Sequence, residues 1–334
     1  MVKVTIKDVA KEAGVATSTV SRVLSNNSKI SDETKEKVHK AIDKLNYKPN
    51  AIARSLAKNK TRILGVILPS EAQDLLVNSF FINAMKGMSL YAQSKNYYIT
   101  YVFTKENETE LESIKEIINT NLIEGIILLR SKENDQCINY LKNINFPFSI
   151  IGRPEDSEGI LWVDNDNFQA TYNIATRLIE KGHKNIGFIG AIENLNMSKD
   201  RLNGYKMALE VNGMSINENI IIHAKDFTED EGYICTKKLI KHNELSAIIA
   251  TDDVLAFGAR KILKEEDIDN ISLVGFNDTQ LDKYQTPPLA SVNINADELG
   301  YHVTRLLIEK LENSECKCSH FIVKTEFIER ESFI

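Results

Sequence analysis

"AGVATSTVSRVLSNN", residues 13–27, decides how the first part of this chain folds. Val20, Val23 and Leu24 fall at helical spacing and make one apolar face, which leaves Thr17, Ser18, Ser21 and Arg22 together on the other. Upstream, Ile6, Val9, Ala10 and Ala13 stand at i, i+3, i+4 and i+7, the stripe of a short amphipathic helix, and Gly14 sits where such a helix ends. Downstream, Val38, Ala41, Ile42 and Leu45 form a third stripe. It lies behind Ser31 as N-cap, with Asp32 and Glu33 in the first turn where their charge meets the helix dipole favourably. Three short helices with converging stripes make a small bundle. The tight, glycine-containing connection between the first two is the helix-turn-helix signature.

The outward face of the second helix carries hydroxyls and a guanidinium, the groups that meet phosphates and base edges. A solvated helix face is the plain alternative, and charge separates the two. Residues 1–62 hold 14 Lys or Arg against 6 Asp or Glu, a net of +8, in a chain whose total is −6, so the remainder carries −14. A basic module joined to an acidic body is the footprint of a nucleic-acid binder whose contact is confined to one end. Next, "YKPNAIARSLAKNKTR" (47–62) places Pro49 after Lys48, and Asn50 as a cap for the helix formers of 51–57. That segment is too short to be stable alone, so its folding is expected to be coupled to its target.

"TIKDVAKEAGVATSTVSRVLSN" followed by "YKPNAIARSLA" resembles the DNA-binding domain and hinge of the lac repressor/galactose repressor family of bacterial transcriptional regulators. The resemblance implies that Thr17, Ser18 and Arg22 read bases in the major groove of double-stranded operator DNA. It implies phosphate contacts for Thr5, Thr19, Ser21, Lys29, Ser31, Thr34 and Asn50, a DNA contact for Ala53, and a minor-groove wedge for Leu56. One position departs from the family's pattern: Ala16 stands where a serine usually caps the recognition helix, a loss of about 0.5–2 kcal/mol of helix stability.

The following 270 or so residues alternate apolar runs with stretches of helical length. The runs are "ILGVIL" (63–68), "YYITYVF" (97–103), "GIILL" (125–129), "FSIIG" (148–152), "NIGFIG" (185–190), "NIIIHA" (219–224), "AIIA" (247–250) and "ISLVGF" (271–276); the amphipathic stretches include 167–182 and 296–312. Strand alternating with helix predicts an α/β architecture of two buried parallel sheets. The expected fold is therefore a small all-α helix-turn-helix domain (1–47) and a hinge helix with linker (48–61), joined to a two-lobed body (62–334). The resemblance implies that the body is like the type I periplasmic sugar-binding proteins. The first lobe is expected over about 62–162 and 292–323, the second over about 163–291 and 324–334.

Ligands of parallel sheets lie beyond the C-terminal ends of strands. "VNSFF", "GRP", "KDRLNGY", "KDF", "TDD" and "FND" all follow apolar runs, and their planar polar and aromatic groups suit a sugar. Carried over by resemblance, the effector contacts are Phe80, Phe81, Arg153, Arg201, Phe227, Asp252 and Asn277, the last standing where Asp is more usual. Each has a structural alternative: Phe80 and Phe81 as core, Arg201 as a surface ion pair, Asp253 as a helix cap.

A glycoside-hydrolysing enzyme would use paired carboxylates, and Asp252–Asp253 raises that option. Adjacent residues at a strand-to-helix junction rarely face one substrate, however. The chain also lacks a P-loop, a dinucleotide fingerprint, H-E-x-x-H and G-x-S-x-G. Its histidines are scattered, and "CKC" (316–318) has no second cysteine pair to complete a zinc site. No enzyme, metal or cofactor is expected. With reduced thiols, no signal peptide and no membrane-length apolar run, a cytoplasmic location is expected.

A single recognition helix offers few base contacts, so a homodimer on a pseudo-palindromic operator is expected. "PS…NSFF", "IGRP", "VDNDN" and "GFND" are most like the maltose-operon repressors of Gram-positive bacteria, which implies release by a small sugar effector, maltose or a maltodextrin. The alternative within the family is the catabolite-control type, whose co-repressor is a serine-phosphorylated phosphocarrier protein.

Overall fold

The structure, a computed structural model, describes residues 4–24, 27, 29–47, 60–69, 78–104, 108–241, 244–313 and 318–334. It divides into two compact units, residues 1–61 and 62–334.

The first unit is a bundle of α1 (Ile6–Ala13), α2 (Thr17–Leu24) and α3 (Asp32–Lys44). Asp8 closes the start of α1 by accepting from the Thr5 amide (2.8 Å) and hydroxyl (2.7 Å). Gly14 ends that helix at φ 65°, a left-handed conformation that a side chain would resist. Ser31 caps α3, its Oγ accepting from the Thr34 amide. Val9, Val20 and Val38, one from each helix, are completely buried and form the core with Ala10, Val23 and Ala41. The three stripes legible in the sequence are the three faces of this core.

In the second unit the strands are β1 (Ile63–Leu68), β2 (Tyr98–Phe103), β3 (Gly125–Leu128), β4 (Phe148–Ile151), β5 (Leu161–Asn165), β6 (Ile186–Gly190), β7 (Ile221–His223), β8 (Ala247–Ala250), β9 (Ser272–Phe276), β10 (Ala290–Asn293), β11 (His320–Val323) and β12 (Glu326–Ile328). They form two six-stranded sheets, ordered β11-β5-β4-β3-β1-β2 and β12-β10-β9-β8-β6-β7. Every pairing is parallel except the antiparallel β10–β12. Strands β3, β4, β6, β8 and β9 are buried along their whole length, as a parallel sheet covered by helices on both faces requires.

The chain passes from the first sheet to the second after β5, back after β10, and forward again after β11. The lobe boundaries expected at 162/163 and 291/292 therefore cut through strands. The crossings lie at strand ends, beside Asp166 and at Ile294–Asn295, because a strand buried on both faces offers no turn residue within it. "NIIIHA" is also only half strand. Asn217 accepts from the Asn219 amide and opens a 3-10 turn over Glu218–Ile220, so β7 begins at Ile221.

The first sheet is covered on one side by α4 (Ser79–Ser94) and α11 (Ala296–Glu312), with α5 (Glu110–Asn119) and α6 (Gln136–Asn143) also in that lobe. The second lobe carries α7 (Asn167–Glu180), α8 (Asn196–Val211), α9 (Glu229–Ile240) and α10 (Asp253–Glu265). Among the described residues no helix is long and apolar enough to cross a membrane.

Candidate functional site

On α2, Val20 and Val23 are buried while Thr17, Ser18, Ser21 and Arg22 are exposed, and Thr19 is half-buried. Ala16 brings no hydroxyl to the helix start, where its carbonyl accepts from the Thr19 and Val20 amides. Lys29 is exposed. Thr5, Ser31 and Thr34 are tied into helix caps, Ser31 Oγ lying 2.9 Å from Thr34 Oγ1. Caps of this kind sit where orphan amides gather, a setting that also suits an anion. Asn50, Ala53 and Leu56 lie outside the described residues.

In the second unit the strand ends of both lobes surround a cavity of about 770 Å³, counting its open mouth. At the end of β9, Asn277 and Asp278 take φ 108° and 50°, turning the chain so that Asn277 donates to Asp252 Oδ2 at 2.8 Å. Asn78, which caps α4, reaches the same oxygen from the other lobe at 3.4 Å. The other oxygen of Asp252 accepts from the Val254 amide at 2.8 Å. The N-cap of α10 is thus Asp252 and not Asp253, which corrects the sequence expectation. A cap at that residue rotates Asp253 into the protein, where it accepts from Ser291 Oγ (2.6 Å) and the Thr279 amide (3.0 Å). The two adjacent carboxylates therefore serve different places, and no paired-carboxylate chemistry arises from them.

Arg201 is 3% exposed, so the surface ion pair is excluded. Its Nε donates to Asn167 Oδ1 (2.9 Å), Nη1 donates to the Thr251 carbonyl (2.6 Å), and the guanidinium lies 4.2 Å over the Phe276 ring. Burial lowers its pKa to about 10, against the pull of Asp252, Asp164 and Asp253. Burial raises Asp252 to about 6, opposed by the Val254 amide, Arg201, Asn277 and Asn78. At neutral pH the cavity wall thus holds both a guanidinium and an ionised carboxylate, each fixed by its own hydrogen bonds.

Phe80, Phe81, Arg201, Phe227, Asp252 and Asn277 all line this cavity. Phe81 also belongs to the core, so it both packs the lobe and lines the cavity. Arg153 does not line it: its amide donates to Asp164 Oδ2 (2.8 Å), its carbonyl accepts from Asn196 (3.0 Å), and it borders a neighbouring cavity. Sequence reasoning missed Asn78, Asp164, Asn165, Asn167 and Met197. "VDNDN" carried three of these, but its polar residues hid that it ends a strand. The wall is also more aliphatic than expected, with Leu129, Ile151, Leu195, Ile294 and Leu299.

Beneath Asp252, the carboxyls of Asp253 and Asp282 are both completely buried. Burial and the facing Asp282 hold Asp253 well above the ordinary carboxyl range, and burial raises Asp282 to about 6 from 3.8. A folded-state pKa above the unfolded one means that the native state binds the extra proton. Stability therefore falls as pH rises from about 4 through about 6, and stays reduced above. Asp282→Asn supplies a permanent donor without changing shape. It is expected to raise Tm by about 2–4 °C at pH 8 and hardly at all at pH 5, a gain on the order of 1 kcal/mol. Thermal denaturation at the two pH values checks this; an equal shift at both would show that the pair is not the titrating group.

Buried Cys137 and Cys235 have pKa values raised by burial to about 12 and about 11, so neither is a thiolate. Cys316 lies outside the described residues. Among the described residues no group of three His, Cys, Asp or Glu side chains is placed to hold a metal.

Comparison with known proteins matches residues 5–50 to the bacterial regulatory proteins of the lacI family and residues 175–333 to a periplasmic binding protein-like domain. The chain is similar to the HTH-type transcriptional regulator MalR of Streptococcus pneumoniae, 36% identical over 334 residues that cover 98% of this chain and 99% of the relative. Among solved structures it resembles a transcriptional regulator CelR–cellobiose complex (25% identity, TM-score 0.75, 98% and 99% covered). It has the fold of the lac repressor dimer bound to operator and an anti-inducer (23% identity, TM-score 0.83, 99% of each chain covered).

Proposed function

We propose that this chain, which belongs to the lacI family of bacterial regulatory proteins, represses carbohydrate-utilisation genes by binding a pseudo-palindromic operator as a homodimer, and is released by maltose or a maltodextrin. It is a DNA-binding transcriptional regulator and not an enzyme. The observation that carries the effector reading is the cluster of Arg201, Asp252 and Asn277 facing Phe80, Phe81 and Phe227 in one cavity. Buried planar groups of both polarities satisfy sugar hydroxyls, and ring faces cover the C–H surfaces. The likeness to MalR supports maltose among sugars, and the cellobiose complex of a similar protein supports a disaccharide.

Residues 1–47 are the DNA-binding domain in this reading, 48–61 the hinge and 62–334 the effector body. Because Asn78 and Asp252 meet across the cavity from opposite lobes, a ligand that engages both alters how the lobes are held. A coupling of about 1–3 kcal/mol suffices for roughly 5–150-fold release. The test is fluorescence anisotropy at fixed salt on DNA from upstream of the gene and its neighbours, titrated with maltose, maltotriose and glucose. Maltose is expected to release the complex. A complex unmoved by sugars but tightened by a serine-phosphorylated phosphocarrier protein would overturn the reading.

The same assay tests α2. Arg22→Ala is expected to cost about 1–3 kcal/mol per half-site and to relax specificity at one base pair. Lys29→Ala should weaken all sequences alike and flatten the salt dependence. Equal, sequence-independent losses from both would assign Arg22 to the phosphates.

A further inference from the structure

A second cavity, of about 1030 Å³ with its open mouth, adjoins the first. Asp164, Asn165 and Asn167 line both. On either side the division falls between consecutive residues: Gly152 lines the inner cavity and Arg153 the outer, Arg201 the inner and Asp200 the outer. On α8, consecutive side chains diverge by about 100°, so one helix turn serves both spaces.

The outer cavity differs in chemistry from the inner. The rings of Trp162 and His320 stack 4.7 Å apart at 11° along it, and Phe168 lines it from the other lobe. Asp166 and Asp200 stand against Arg153 as its charged rim, with buried Asp164 behind. This excess of carboxylates repels an anion such as a phosphorylated sugar, while carboxylates, an amide and a guanidinium beside aromatic rings accommodate a neutral polyhydroxylated ligand.

We infer that the outer cavity is a second sugar subsite, so that the effector is an oligosaccharide whose first units fill the inner cavity and whose next unit rests between Asp200 and Phe168 of one lobe and Arg153 of the other. This rests on the sugar-effector reading above. It gives Arg153, excluded from the inner cavity, a place against the same ligand. It also makes chain length a determinant of affinity, because a longer glucan touches both lobes at two depths.

The test is calorimetric titration of the full-length protein with maltose and with maltotetraose. The wild type is expected to bind maltotetraose about tenfold more tightly. Phe168→Ala and Asp200→Ala should each bring that ratio close to one while leaving maltose affinity within about twofold. Equal binding of the two sugars by the wild type overturns the inference and leaves the maltose reading standing, as does a preference that survives both substitutions. Binding of neither sugar overturns both.

Discussion

Arg201→Ala is expected to leave operator binding intact and to abolish release by sugar, with the sugar affinity falling by 100-fold or more. Three contacts fix the side chain before any ligand arrives: Asn167 Oδ1 at 2.9 Å, the Thr251 carbonyl at 2.6 Å and the Phe276 ring at 4.2 Å. A ligand therefore meets a donor whose rotamer entropy is already spent. Truncation removes that donor and strips Asp252 and Asp164 of their shared cation, leaving carboxylates that burial has already raised to about 6. Loss of one partner from a buried charge cluster costs about 3–5 kcal/mol, which sets the affinity estimate. Part of that cost falls on stability, so Tm should drop as well. Arg201→Lys separates the two effects: it restores a positive charge but not the fork, and is expected to recover Tm more than affinity. Calorimetry with maltose and anisotropy on the operator complex read the two outcomes. An unchanged midpoint for release in Arg201→Ala would remove Arg201 from the effector site. Acid should mimic the variant, since protonating Asp252 below about 6 turns a ligand acceptor into a donor.

The DNA-binding domain was the most legible part of the chain because its cues are local. Gly14 at a left-handed helix end, Ser31 on the Thr34 amide and three apolar stripes each depend on a few neighbouring residues. The central strands were legible for another reason: burial on both faces writes an uninterrupted apolar run. Strands β5, β10, β11 and β12 were not, because "LWVDN", "ASVN", "HFIV" and "EFI" are short or end in polar residues. Strands β11 and β12 are sheet edges with β5 and β10 beside them, and all four border the lobe crossings, where some side chains do duty other than filling a core. Asn165, for instance, donates to the Ile294 and Val323 carbonyls at 3.0 Å each, pinning the other two crossings to its own. The cavity followed the same division. Residues after long apolar runs could be placed on its wall. Whether Asp252 or Asp253 faces it depended on which of them begins α10, a one-residue phase that no periodicity fixes. Arg153 lines the adjoining cavity instead, with its backbone held by Asp164 and Asn196.

Gly300→Val is expected to be among the most destabilising single changes in the body, at about 3–5 kcal/mol or more, with Tm lowered by about 10 °C or more. Helices α4 and α11 approach so closely that a Cβ on Gly300 would lie 2.0 Å from the Ala84 carbonyl oxygen, and one on Gly87 1.8 Å from that of Asp297. Both obstacles are backbone, so no rotamer relieves the clash and the helices must part. Parting them uncovers Ala84 and Met88 on one side and Leu299, Val303, Leu306 and Leu307 on the other, all buried in the core that supports β3, β4 and β5. The control is Gly159→Ala. That glycine has φ +71° with nothing within 4 Å of an added Cβ, so its cost is the left-handed backbone alone, about 1 kcal/mol. The ranking separates glycine kept for closeness from glycine kept for conformation, and urea unfolding of the two variants measures it. Similar losses would mean that α4 and α11 have room to spare. A large loss confined to Gly300→Val would show that α11, which brings the chain back from the second lobe, is held to the first by backbone contact. Sugar binding in that variant should then fail with the fold of the body, while residues 4–47, which carry their own core of Val9, Val20 and Val38, keep theirs.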